Sequence, residues 1–378
     1  MGDGTMKSRL EAGMRTIRSL AAISAIALAL TACATANEEA AVTRVDYKAC
    51  LATSEDFIED GSVADQALEG LQRAVLKQGV AYKVVNSPAD ASTPSYVAGL
   101  KLLVSSGCDL VMATTHRMAA ATYRVAKANP KVDFVLVDAA LTTSGFKPAS
   151  LANVRELRFD AHSAAFLAGY LAAATTQTNT VGAFGGAPVK EVTDVLAGFK
   201  LGVTRFNEQN QKAVVVVGLA GDDPARWRFT STWANPKQQA ALAYQLVEAG
   251  ADVIFAYTGS TTLLPDAVGG AATDGPKFIG IDSDWFNLEA NAEVASSILA
   301  SITKNIAPAV ESTIISALAE KFTGGESGRY LATLANRGVS LTEPHTLSYP
   351  SGVEQALSEI VAEIVEGTLV VDSSPNSK

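Results

Sequence analysis

Small hydroxylic and acidic residues recur at one kind of place along this chain, directly after short apolar runs. They read Thr53-Ser54-Glu55, Thr114-Thr115-His116, Asp138-Ala139, Gly185-Gly186-Ala187, Thr258-Gly259-Ser260 and Asp282-Ser283-Asp284. Carboxylates accept hydrogen bonds, Ser and Thr both donate and accept, and imidazole adds a flat polar ring. Such groups, brought together, hold a polar small molecule. The Asp282-x-Asp284 spacing also suggests a cation loop. A hard cation wants about six or more closely spaced oxygens, whereas Trp285-Phe286 follows here. Acceptors for ligand hydroxyls fit better.

Bond-making machinery does not assemble. The chain has no G-x-x-x-x-G-K-[S/T], no G-x-S-x-G, no H-E-x-x-H and no C-x-x-C. Gly182-Ala183-Phe184-Gly185-Gly186 lacks the G-x-G-x-x-G spacing and reads as a tight turn that lets a helix pack close. His116, His162 and His345 lie in separate segments without metal-ligand spacing. Binding is expected, with no enzyme activity, no metal and no cofactor.

The elements that must position those loops alternate. Candidate strands are Val45–Ala52, Tyr82–Val85, Leu110–Ala113, Phe134–Val137, Val154–Phe159, Thr180–Phe184, Ala213–Val217, Val253–Tyr257 and Phe278–Ile281. Between them run helical patterns. Val192, Val195, Leu196 and Phe199 follow the i, i+3, i+4, i+7 rule, as do Ala240, Ala243, Tyr244 and Val247. Asn235-Pro236 reads as a helix start and Gly250 as its stop. Strand and helix repeated in this way predict parallel sheets covered on both faces. Ligands then sit beyond the carboxyl ends of the strands, where the polar residues above fall. The strands are too many for one comfortable sheet, so two similar lobes are expected, with a first crossing near Phe159–Ala161. The stretch Glu326–Tyr349 is irregular and reads as a surface wrap.

Composition agrees. The 378 residues are 48% apolar and carry 30 basic against 39 acidic side chains, a net charge of −9. That excludes disorder and argues against nucleic acid, which needs a basic face. At the front, Lys7, Arg9, Arg15 and Arg18 precede an apolar run from Leu20 to Leu30, the pattern of a secretory signal. It ends in Leu30-Thr31-Ala32-Cys33, which resembles a bacterial lipobox and makes Cys33 the expected lipidation site. Cys50 and Cys108 sit at or beside strand-like runs. Two small buried thiols and, in an oxidising compartment, a disulfide both fit.

Three further blocks carry a family resemblance. They are Phe166-Leu167-Ala168-Gly169-Tyr170-Leu171-Ala172-Ala173, Val181-Gly182-Ala183-Phe184-Gly185-Gly186 and Ala197-Gly198-Phe199-Lys200-Leu201-Gly202-Val203. Asn235-Pro236-Lys237, Gly250-Ala251-Asp252-Val253-Ile254-Phe255, Ile279-Gly280-Ile281-Asp282-Ser283-Asp284 and Ser301-Ile302-Thr303-Lys304-Asn305 continue it. In this order they resemble the basic membrane protein family, substrate-binding lipoproteins of ABC transporters that include purine nucleoside receptors. The resemblance implies an α/β, type I periplasmic-binding-protein fold, two doubly wound parallel-sheet lobes joined by three crossings. It implies a signal peptide over 1–32, a tether over 33–43, a first lobe of 44–159 with about 285–318, a second of 160–284 with about 319–372, and a tail over 373–378.

The resemblance further implies a monomer anchored by lipid to the extracytoplasmic face of the cell membrane, working with a membrane permease. The guest would be a nucleoside or similar ribosyl compound. Asp282, Asp284 and Lys304 match the family's ribose-binding pattern, as do Asp138 and Gly259. In the first-strand motif Asp60 and Ser62 survive beside Glu59, but Ser54 stands where the family has Asp and Val63-Ala64 where it has Phe-Asn. Thr115-His116 replaces Gly-Phe. These departures fall on the base-binding wall, which His116, Trp233 or Trp227 could rebuild, with Phe184 and Tyr257 as further strand-end aromatics. A sugar or polyol guest, or a sensory receptor on the same lobes, remains the alternative.

Overall fold

A computed structural model describes residues 44–54, 60–87, 91–231, 235–259, 261, 275–345 and 348–372. The signal segment, Cys33, Glu59 and Trp233 lie outside these described residues.

Among the described residues, twelve short strands form two six-stranded sheets. The first takes β1 (Lys48–Ala52), β2 (Ala81–Val85), β3 (Leu110–Thr114), β4 (Asp133–Val137), β5 (Val154–Phe159) and β11 (Tyr330–Ala332). The second takes β6 (Thr180–Gly185), β7 (Val215–Val217), β8 (Val253–Tyr257), β9 (Lys277–Asp282), β10 (Ile298–Lys304) and β12 (Val339–Leu341). Read from one edge, the order is β2-β1-β3-β4-β5-β11 in one and β7-β6-β8-β9-β10-β12 in the other, the same doubly wound pattern twice. All pairs are parallel except β10 with β12.

The eight α-helices among the described residues cover the sheets. In the first lobe these are α1 (Val63–Gln78), α2 (Thr93–Ser105), α3 (Ala119–Ala128) and α7 (Ile306–Leu318); in the second, α4 (Ala161–Thr175), α5 (Lys190–Asn210), α6 (Pro236–Glu248) and α8 (Val353–Glu366). Local chemistry sets their ends. Ser62 accepts from Asp65 N at the start of α1, and Gly79 closes it at φ +70°, a conformation open to glycine. Asn235 caps α6 through Gln238 N, with Pro236 in the first turn. The inward face of α5 is the expected Val192, Val195, Leu196 and Phe199. On α6 the face is turned: Leu242 and Leu246 are buried beside Ala240 and Ala243, and Tyr244 is exposed. Two Leu side chains bury more apolar area than Tyr and Val, and decide the rotation.

Helix α4 is apolar all round and buried on nearly every side, as such a helix must be. It packs so closely on α5 that a Cβ at Gly169 would lie 1.9 Å from Phe199 O, and one at Gly202 the same distance from Phe166 O. Cys50, on β1, and Cys108, two residues before β3, form a disulfide.

Two boundaries differ from expectation. The run 285–304 belongs to the second lobe, because Ile298–Lys304 pairs with β9. Residues 326–349 do not merely wrap the surface: Tyr330–Ala332 edges the first sheet beside β5, and Val339–Leu341 edges the second beside β10. The chain therefore passes between the lobes at Asp160, at Asn305 and between Ala332 and Val339. The last passage is laced to the others. Asp160 N donates to Ala332 O at 2.8 Å, and Asn305 N to Gly338 O at 2.9 Å.

Candidate functional site

The carboxyl ends of the strands face one another across the gap between the sheets. Lys304 is the last residue of β10, at a buried strand end. Its side chain is 1% exposed. The Nζ lies 2.7 Å from Asp138 Oδ2 at the end of β4, 2.7 Å from Asp282 Oδ1 at the end of β9, and donates to Tyr257 OH at 3.1 Å. Asp138 comes from the first lobe and the others from the second, so this ion pair spans the cleft.

A buried cation survives only when its desolvation is compensated. Burial pulls the Lys304 ammonium down, but Asp138 and Asp282 outweigh it and hold the group well above the usual lysine range. Burial pushes the Asp138 carboxyl up to about 6, against the pull of Lys304 and with Asp282 and Glu191 adding to the rise. The Tyr257 hydroxyl is likewise pushed up, first by burial. Lys304 stays charged and Tyr257 stays a neutral donor.

Backbone strain accompanies the chemistry. Thr115, Asp138 and Asp282 have φ of +62°, +58° and +79°, a region that non-glycine residues seldom enter. Each follows or ends a strand and turns its side chain toward the gap; strain of this sort gathers at functional sites. Two oxygens there, Asp282 Oδ1 and Ser283 Oγ, are buried with no hydrogen-bond partner among the described residues. Asp282 Oδ1 touches Lys304 as an ion pair only.

Around the cluster lie cavities of about 40 and 230 Å³ that share Asp138, Glu191 and Tyr257 as walls. The smaller also takes Ser54, Thr115, His116, Gly259 and Asp282 from the expected set. Ser54 Oγ and Thr115 Oγ1 are 3.0 Å apart. Burial pulls the His116 imidazole toward its neutral form, opposed by Glu191. The larger cavity reaches Lys304. The lips meet where Gln66 Nε2 donates to Asp282 O at 2.9 Å and Thr261 Oγ1 donates to Asp60 O.

Several expected residues stand elsewhere. Asp60 lies at the lip, its carboxylate turned back onto Ser62 N. Phe184 is wholly buried among Trp285, Phe278 and Ala243, because its strand position points into the core rather than the cleft. Asp284 is drawn away from Lys304: it caps Phe286 N, accepts from Asn287 Nδ2 and pairs with His345 Nε2 at 2.7 Å. Trp227 is also core. The sequence reading missed Glu191 and Arg117. Glu191 opens α5 after the Gly185-Gly186 turn, a helix start aimed at the gap; that placement was the available signal. Arg117 donates to Ser54 O at 3.0 Å and lies over the Tyr96 ring.

No cluster of metal-ligating side chains occurs among the described residues, and no helix there is long and apolar enough to cross a membrane. The fold is similar to that of a solute-binding protein of an ABC transporter system from Aeropyrum pernix K1, with a TM-score of 0.70 at 19% identity over 87% of this chain and 94% of that one. The chain is 25% identical over 372 residues to the ABC transporter nucleoside-binding protein BmpA of Lactococcus lactis subsp. cremoris, covering 93% of this chain and 98% of that protein. It is 26% identical over 344 residues to the CD4+ T-cell-stimulating antigen of Listeria monocytogenes, covering 87% and 89%. The model of the Bmp family, PnrA-like ABC transporter substrate-binding proteins, matches residues 48–372. The chain thus belongs to the Bmp family, whose members are substrate-binding proteins of ABC transporters and not enzymes.

Proposed function

We propose that the protein captures a nucleoside, or a similar ribosyl compound, between its lobes and delivers it to an ABC importer, held by a lipid on Cys33 at the extracytoplasmic face. The observation that carries the guest's class is the buried Lys304 between Asp138 and Asp282. A ribose offers adjacent hydroxyls, each a donor and an acceptor; two carboxylates fixed by one ammonium match that pair. Hydrogen bonds to charged groups in such a place contribute roughly 1.5–3 kcal/mol each. The nucleoside-binding relative in Lactococcus lactis supports the reading.

Capture needs no chemistry. A ligand that touches Asp138 on one lobe and Asp282 on the other binds the closed arrangement better and shifts the population toward it. The Lys304–Asp138 pair forms by the same closure, so guest and ion pair favour one state. Calorimetry with guanosine, adenosine, inosine and uridine tests the guest: saturable heat with at least one is expected, and silence with all four removes the nucleoside reading. Mass spectrometry of the exported protein tests the anchor, through a diacylated Cys33 at its N-terminus.

A further inference from the structure

A separate polar cavity, of about 210 Å³, lies on the crossings themselves, lined among others by Arg155, Asn305, Ser312, Tyr330, Asn336 and Arg337. None of the residues lining it carries a carboxylate. Three arginines meet acids, Arg73 with Glu69, Arg205 with Glu363 and Arg329 with Glu156. Arg155 and Arg337 meet none among the described residues.

Arg155 stands on β5 two residues before Leu157, hence on the same face of the sheet, the face covered by Ile306 and Val310 of α7. Its Nε is buried without a hydrogen-bond partner. An unpartnered buried donor on a charged group is costly, and an anion is the natural acceptor for it. Arg337 approaches from the third crossing, in a left-handed backbone turn with φ of +56°. The start of α7 opens onto the same space. Asn305, the residue that should cap this helix, gives it no side-chain bond, because its Nδ2 donates instead to Arg337 O. No acidic residue sits in the first turn of α7. The positive end of a helix dipole is thus added to two guanidinium groups, all without counter-charge.

We propose that this cavity is a binding site for a small oxyanion of the phosphate class, held by Arg155 and Arg337 at the point where two crossings are tied together. Two planar donor forks, one from β5 and one from the third crossing, suit a tetrahedral oxyanion, which presents oxygens in several directions. The site is separate from the nucleoside cleft and does not depend on what the cleft binds.

The test is titration of the full-length protein with inorganic phosphate by calorimetry, at ionic strength held constant with sodium chloride. Saturable one-to-one binding is expected. Arg155→Gln and Arg337→Gln should each weaken it about tenfold, the loss of one charge-assisted contact. Arg337 is exposed and its replacement leaves the core untouched, so that variant keeps the test valid should Arg155→Gln fail to fold. Acetate, with two oxygens and a single charge, should bind more weakly than phosphate. Heat that never saturates, or phosphate binding unchanged in Arg337→Gln, overturns the site; acetate equal to phosphate overturns its class. Failure here with nucleoside binding intact leaves the function of the cleft standing, and the reverse result leaves this site standing.

Discussion

From the first sheet the cleft receives Asp138, the Ser54–Thr115 hydroxyl pair, His116 and Arg117; from the second it receives Lys304, Asp282, Tyr257 and Glu191. The strand order behind the two walls is the same, so the scaffold does not explain the inequality. The difference lies in the residues at equivalent strand ends. The second wall holds the only cation in the buried cluster and two of its acceptors. The first offers one carboxylate to that cluster and otherwise presents Ser54, Thr115, His116 and Arg117. Stability is divided the other way, since the disulfide staples the first lobe alone among the described residues. One wall grips, and the other is braced.

If that division is right, Lys304→Ala has the largest effect. It leaves Asp138 and Asp282 facing each other without a counter-ion, which costs on the order of 3–5 kcal/mol for a broken buried pair, and nucleoside binding is lost; thermal unfolding and calorimetry read both. Full affinity in that variant would break the comparison at its root. Next comes the brace. Cys50→Ser with Cys108→Ser should lower unfolding free energy by about 2–4 kcal/mol, and leave affinity for the guest within about threefold under conditions where the protein stays folded. Asp282→Ala follows, with affinity down about tenfold or more and little change in fold. Equal losses from Ser54→Ala would show that the walls share the grip.

The smallest effect is that of pH, and it comes from the first wall. Asp138 titrates near 6, above the ordinary 3.8. As an acceptor for a hydroxyl it must be ionised, so affinity should fall as pH drops through about 6, by up to tenfold per unit. Stability of the free protein from this group runs the other way: it is present below about 3.8 and lost as pH rises through about 6, because the folded state binds the proton more tightly. Asp138→Asn should flatten both profiles. A pH-independent affinity between 5 and 7 would move the grip wholly to the second wall.

Much of this was legible from the residues. Nine apolar runs predicted nine strands, and hydroxylic or acidic side chains after them marked the rim. Strand ends facing a gap are readable because a parallel sheet has only one polar end to its buried strands. Ile298–Lys304 escaped notice, since a short apolar run buried on both faces has no alternation to separate strand from helix. With it went the true setting of Lys304. Tyr330–Ala332 and Val339–Leu341 are three residues each, too short to carry a pattern at all. Phe184 and Asp284 were misplaced for a different reason. Sequence position put them near the gap, but one side chain points into the core, and the other is claimed by His345, which lies 61 residues further along the chain.

The lacing of the crossings has a consequence for assembly. Asp160 and Asn305 both take their partners from residues 332–338, which follow most of the chain. Synthesis delivers a polypeptide in one direction, so the inner strands of each sheet can pair before these residues arrive, yet the two backbone rungs that tie the crossings wait for them. A nascent or truncated chain ending before Ala332 would lack both rungs, together with β12 and α8, and the two lobes would sit on a slack joint until those residues emerge.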